Sequence, residues 1–398
     1  MTSIPLRVAI SGAGVAGPAL AHWLLRAGCE PTLIENAPAF RTGGYVIDFW
    51  GVGYRVAQRM GIEQAVRDAG YQVQRLVAVD DDGRVRASMR TDAFERLAGG
   101  RFTSLPRGDL AAAIYATVEH HCETLFDDSI TAIDEHDGAV GLTLRSGKQR
   151  AFDLVVGADG LHSNVRRQAF GPDADYEHYL GCRVAACVVE DYRPRDERVY
   201  VIHSAPGKQA ARFTLRDNRS LFLFVFRSAG TADPGSLQSR KQVLRDEFHD
   251  AGWECPRMLD AVARAEDLYF DVVSQVHMPA WSRGRVALIG DAAACISLLG
   301  GEGTGLAMTE AYVMAGELLR ANGDYRSAFP AYEARLRPLI ARKQKAALGM
   351  INFFAARTHA GIWLRNMGIR AMNLPWLTHL IAGRSVRDGF ELPEYGLG

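Results

Sequence analysis

The chain has 398 residues, 48% apolar and 23% charged, and its 46 Lys and Arg balance 46 Asp and Glu. Those fractions are ordinary for globular proteins and exclude a disordered or fibrous chain; the length predicts two or three domains, each with a full-sized core. A net charge of zero argues against nucleic acid or an anionic membrane as the main partner, because both demand a basic surplus.

Residues 6–10 read as a short buried strand. Met1-Thr-Ser-Ile-Pro-Leu-Arg7 runs into it without the long apolar stretch of a signal peptide. A glycine turn follows, then a helical pattern to Arg26 and a second strand at 31–35. That is the β-turn-α-β unit of a parallel, doubly wound sheet. Gly53 to Ala69 reads as a helix, 72–90 as a hairpin turning on Asp82-Gly83, and Arg107 to His121 as a helix. Residues 129–156 read as short strands ending in Leu154-Val-Val156. Residues 176–277 alternate and are rich in β-formers, which predicts an antiparallel sheet with one helix around 238–251. A buried strand returns at 286–289, a helix runs from Gly300 to Arg320, and 325–382 is mostly helical with breaks near Pro338 and Pro375. The fold class is α/β. Residues 1–71, 100–175 and 278–325 form a discontinuous nucleotide-binding domain. Residues 72–99 and 176–277 form an inserted β-sheet domain for the substrate, and 326–398 a C-terminal helical segment.

The six cysteines form no C-x-x-C pair and no zinc-ligand spacing with histidine, so no metal site is expected. They read as reduced thiols of a cytoplasmic protein. No window holds ~18 uninterrupted apolar residues, so no transmembrane helix is expected. The apolar side of 339–382, with Met350, Phe353, Phe354, Trp363 and Met367, reads as a helix clamped across both domains rather than as a membrane-lying one.

Three motifs carry chemistry. Gly12-Ala-Gly14-Val15-Ala16-Gly17 follows a strand and opens a helix. Gly12 permits the turn, Gly14 lets the backbone approach a pyrophosphate, and Gly17 lets helix pack on strand, with the helix N-terminus facing the phosphates. Glu35, at the next strand end, is placed for ribose hydroxyls. This pattern points to a dinucleotide without separating FAD from NAD(P). The second motif is Asp159-Gly160 within 153–166. The third is Gly290-Asp291-Ala-Ala293 after a strand, backed by Gly300-Gly301-Glu-Gly303-Thr-Gly305; there a carboxylate meets a glycine-rich helix start.

In this order and spacing the motifs resemble the single-component, class A FAD-dependent aromatic monooxygenases of the p-hydroxybenzoate hydroxylase superfamily, over roughly residues 6–335. Within it the chain is most similar to the branch of tetracycline-inactivating monooxygenases. The resemblance implies a Rossmann-like, GR2-type FAD-binding domain in which Gly12, Gly14, Val15, Ala16, Gly17 and Glu35 hold the ADP part of FAD. It implies that Asp159 serves FAD and NAD(P)H, and that Asp291, Gly301 and Gly303 meet the ribityl and pyrophosphate region. Arg41-Thr-Gly-Gly44-Tyr-Val-Ile-Asp48 matches that branch, which implies a nicotinamide-nucleotide contact for Arg41 and a flavin contact for Asp48. Arg107, at a helix start, is implied to reach FAD. The implied reaction uses NADPH or NADH and O2 to insert one oxygen atom into an aromatic or polycyclic phenol or enol through a flavin C4a-hydroperoxide. The implied setting is antibiotic or secondary metabolism, in a monomer or weak homodimer. Substrate contacts are expected from the sheet, with Arg183, Arg212, Phe213 and Phe224 as candidates; no catalytic acid or base is assigned. A flavin reductase or dehydrogenase and a non-catalytic, ligand-sequestering flavoprotein are the alternatives. The chain departs from the family at Ala294 and Leu298, where histidine and proline are usual, and at Gly305, where the branch often has asparagine or serine.

Overall fold

The computed structural model describes residues 6–40, 45–92, 99–136, 138–374 and 389–397. A six-stranded sheet runs in the order Ser282–Arg283, Val286–Leu288, Leu154–Gly157, Arg7–Ser11, Glu30–Ile34, Glu123–Leu125. Its strands pair in parallel except at the Ser282–Arg283 edge. Val8, Ala9, Ile10, Leu154, Val155, Val156, Ala287 and Leu288 are fully buried, as in a sheet covered on both faces, where strands read as unbroken apolar runs. The helix Ala16–Arg26 packs against the helix Gly303–Arg320.

A second sheet has seven strands in the order Tyr269–Val276, Glu177–Glu190, Arg219–Arg227, Lys208–Thr214, Val199–Ala205, Arg75–Val79, Val85–Arg90. The early hairpin turns at Gly83, with φ of 79°, and joins this sheet through a parallel pairing with Val199–Ala205. One face buries Phe222, Phe224 and Phe226 beneath the helices Leu237–Phe248 and Cys255–Arg264. Two helices therefore stand where the sequence predicts one. The other face carries Val184, Val225 and Val273 and packs on Met350, Ile351 and Phe354 of the 30-residue helix Tyr325–Phe354.

That helix corrects the break expected at Pro338, because it runs through both Pro330 and Pro338. An internal proline costs about 3 kcal/mol. Leu336, Leu339 and Ile340, beside Pro338, are buried in the main core, at about 1.5–3 kcal/mol each, so packing outweighs the lost backbone bond. Pro375 lies outside the described residues. The helix expected over 53–69 is divided into Gly51–Arg59 and Glu63–Ala69 by Gly61, whose φ is 77°. Among the described residues no helix is long and apolar enough to cross a membrane.

Helices Gly51–Arg59 and Gly303–Arg320 cross backbone to backbone. A Cβ on Gly53 would lie 2.3 Å from the Gly305 Cα, whereas one on Gly305 would lie 3.3 Å from the Gly53 Cα. Gly305 is thus a contact point between helices. Gly53→Ala is expected to destabilise the protein by about 1–3 kcal/mol through overpacking, and by more than Gly305→Ala. Urea denaturation of the two variants measures this, and equal midpoints would refute the crossing.

Candidate active site

The glycine turn is built as its spacing requires. Gly12 has φ of 102°, and a Cβ there would lie 2.7 Å from the Ala158 carbonyl oxygen. A Cβ on Gly17 would lie 1.9 Å from the Gly12 oxygen, while one on Gly14 would meet only an Arg107 nitrogen at 3.6 Å. The first and last glycines therefore close the turn on the neighbouring strand and on the helix, and the middle one faces a cavity. The amides of Gly14, Val15 and Ala16 line that cavity and have no acceptor among the described residues. Glu35 accepts hydrogen bonds from the Ala13 and Ala37 amides, each at 2.8 Å, which fastens the turn to the second strand.

Asp159 is committed within the protein. It accepts from the Ser11 and Ser163 hydroxyls and from the Asn164 and Val165 amides. It clasps the first strand to the helix Asn164–Ala169, and Gly160 beside it lines the cavity.

At the opposite wall Asp291 follows Gly290, whose φ of 63° turns the chain into a four-residue helix, Asp291–Ala294. Its side chain is exposed to the cavity. The surrounding protein reduces its hydration and raises its pKa, while the Arg107 guanidinium and a bond to Cys295 oppose the rise. Gly301 has φ of 70°, and Gly303 begins the long helix with its α-carbon face toward Asp291 Oδ1, 3.7 Å from where a Cβ would stand. Asp48 pairs with Ser104 across the two-stranded ribbon Val46–Trp50/Phe102–Pro106 and accepts from its hydroxyl. Asp48 is exposed to the cavity, yet the protein crowded around it reduces its hydration and raises its pKa, opposed by that bond. Arg107 opens the helix Arg107–Tyr115, and its guanidinium lines the cavity without a hydrogen bond among the described residues. Arg41 lies outside the described residues.

These residues line a single cavity of about 1610 Å³ that continues to the seven-stranded sheet and to Met350, Phe353 and Phe354. A drug-sized ligand needs roughly 300–1,000 Å³, so this volume suits a dinucleotide together with a second molecule. The family described as FAD binding domain matches residues 5–341. A protein of Legionella longbeachae named flavin-dependent monooxygenase is 32% identical over 98% of each chain. The chain belongs to the FAD-binding-domain family of flavin-dependent monooxygenases. Crystal structures of two tetracycline destructases are similar throughout. Tet(55) has a TM-score of 0.82 at 32% identity, covering 99% of this chain and 100% of the other. Tet(51) has a TM-score of 0.83 at 29% identity, covering 98% and 99%.

FAD is the cofactor of this family, and the monooxygenase provides what it needs: a cradle without side chains, free amides and an uncommitted guanidinium. None of the four side chains expected on the substrate lines the cavity. Strand faces alternate, and Tyr200, Ile202, Gln209, Ala211 and Leu223 point to the cavity. Arg183 and Arg212 lie on the opposite face, in register with Phe226 and Phe222. Arg212 pairs with Glu254 at 3.0 Å and Asp196 at 2.7 Å; Arg183 donates to the Gly230 and Ala232 carbonyls. Phe224 packs on Phe248 under the helices. Phe213 shares the cavity-side parity but is fully buried beneath Tyr200, stacked at 4.9 Å. Period-two alternation was readable, but which parity faces the cavity depends on the layer packed behind the sheet. Of the family departures, Leu298 lines the cavity and Ala294 is buried away from it.

Glu310 was not anticipated. It is buried on the long helix and accepts from the Gly290 amide at 2.6 Å, with the Tyr332 hydroxyl 3.2 Å away. It supports the Gly290-Asp291 turn from below. Burial pushes its pKa up to about 8, opposed by those bonds and assisted by Asp291. The folded state therefore holds a proton that the unfolded chain, with a carboxyl near ~4.3, releases. Stability present at low pH falls as pH rises through that interval, by up to about 1.4 kcal/mol per pH unit, and the loss is complete above the folded value. Glu310→Gln keeps an acceptor for Gly290 and removes the titration. Thermal melts at about pH 6 and pH 9 are expected to show a smaller drop in the variant than in the wild type. Equal drops would place Glu310 in its ionised form throughout.

Proposed function

We propose that this monooxygenase is an NAD(P)H- and O2-dependent hydroxylase of flat aromatic or polycyclic phenol- or enol-type small molecules. The observation that carries the reading is the continuity of the cavity, from the glycine turn past Asp291 to an apolar sheet face bearing Tyr200, Ile202 and Leu223. The name tetracycline destructase on two similar structures supports a polycyclic substrate.

In this reading the amides of Gly14, Val15 and Ala16 receive the FAD pyrophosphate, Glu35 the adenosine ribose, and Arg107 adds a fixed positive charge. Asp291, with the glycines at 301 and 303, takes a ribityl hydroxyl, and Asp48 the flavin. Bound FAD supplies hydride acceptance from the nicotinamide nucleotide and activation of O2. One oxygen atom enters the substrate, and the other leaves as water with the two electrons of NAD(P)H. The chain's own part is to hold the substrate flat on the sheet face and to exclude water, so that reduction is coupled to insertion. Tyr45 and Tyr269, with ring centroids 5.4 Å apart beside Asp291, narrow the passage between the two halves. Arg41 is assigned to the nicotinamide nucleotide on sequence resemblance.

Two measurements test this. Purified protein is expected to be yellow, and NADPH oxidation to accelerate with polycyclic phenols, tetracycline among them, that emerge one oxygen atom heavier. Consumption that yields only hydrogen peroxide with every phenol would contradict hydroxylation. Asp291→Ala removes a charge-assisted contact of roughly 1.5–3 kcal/mol, so FAD titration is expected to show at least about tenfold weaker binding. Wild-type FAD affinity in that variant would displace Asp291 from the cofactor.

A further inference from the structure

A buried amide stands in the apolar end of the cavity. Gln209, on the strand Lys208–Thr214, lines it among Ile202, Ala211, Leu223, Met350 and Phe353, and is only 2% exposed. Its Oε1 accepts from Arg365 Nη1 at 3.1 Å and from the Ser204 hydroxyl at 3.3 Å. Arginine only donates, so the amide cannot be reversed, and Nε2 must turn the other way. Nε2 has no partner among the described residues and is not sealed off from open volume. Its two N–H groups therefore face the cavity.

Arg365 comes from the helix His359–Ala371, 156 residues away in sequence. Its side chain donates to Ser204 at 2.7 Å, to the Phe353 carbonyl at 3.3 Å and to Asn366 at 2.9 Å, and its guanidinium sits 5.8 Å from the Phe353 ring centroid. All of these partners are neutral. The guanidinium, with no carboxylate partner among the described residues, stands directly behind the amide, polarises it and strengthens its donors.

We infer that Gln209 is a specificity-determining residue whose amide N–H groups receive a carbonyl or phenolate oxygen of the substrate, with Arg365 as the residue that positions it. The inference rests on the hydroxylase reading of the cavity. A flat ligand lacking an acceptor at that point leaves two buried donors unpaired, which a hydrogen-bonding site penalises more than it penalises a change of apolar contact.

Equilibrium dialysis of FAD-loaded protein against fluorenone and fluorene, planar tricycles differing by one carbonyl oxygen, tests it. Wild type is expected to bind fluorenone about tenfold more tightly. Gln209→Leu, and Gln209→Glu, which keeps the bond to Arg365 but removes the donors, are expected to lose that preference. Arg365→Met is expected to lose it because the amide is then free to rotate, whereas Arg365→Lys, which still donates to Oε1, retains it; a purely structural role would not distinguish Met from Lys. Equal binding of both probes by wild type, binding of neither, or an unchanged preference in both Gln209 variants overturns the assignment. Failure of wild type to take up FAD overturns instead the reading on which it rests.

Discussion

Around the glycine-turn end of the cavity, main chain meets main chain with no room for a side chain between. Gly17 against Gly12, Gly12 against Ala158 and Gly53 against Gly305 would each bring an added Cβ to between 1.9 and 2.7 Å of backbone atoms. These contacts fix the first helix against the sheet, the end of the strand Arg7–Ser11 against that of Leu154–Gly157, and the long helix against its neighbour. Gly12 and Ala158, and Trp50, Gly303 and Thr304 beside the helix crossing, line the same cavity. The free amides of the glycine turn and the start of the long helix open into one volume because these glycines hold the elements that carry them so close together.

The charges around that volume follow from the same enclosure. Asp48, Asp291 and Glu310 are all pushed upward by loss of water. Arg107 is the cation that opposes the rise at Asp291. Glu310 differs from the other two because it does not face the cavity: its carboxyl oxygen accepts from the Gly290 amide on the core side. A carboxyl near Asp291 can remain in an apolar core at neutral pH only by staying neutral.

The seven-stranded sheet divides the remaining work between its faces. Its back holds the larger charged groups, Arg183 and Arg212, each matched within the protein by carbonyls or carboxylates. On the central strands the front is apolar apart from the amide of Gln209 and the phenol of Tyr200, and at the edge strand it carries Tyr269 and Asp271. On those central strands a buried charge facing a flat substrate would carry a desolvation cost in every state. An oriented amide can discriminate by hydrogen bonding without that cost.

The motifs at Gly12–Gly17 and Gly290–Asp291 were legible because a tight turn and a helix start are set by bonds a few residues long, which leave their mark on adjacent positions. Glu35 and Asp291 could be placed at strand ends for the same reason, as could the hairpin at Gly83. The alternation of 208–227 was legible too, yet it assigned Arg212 and Phe224 to the substrate. Alternation separates two faces without saying which is covered, and that was decided by two helices 12 and 10 residues long packing on the phenylalanines. Pro338 signalled a break that core packing overrode. Glu310 beneath Gly290, and Arg365 behind Gln209, join residues 20 and 156 positions apart. No local pattern encodes such pairs, because they exist only where packing of distant elements removes water and leaves each polar atom to find its partner across the fold.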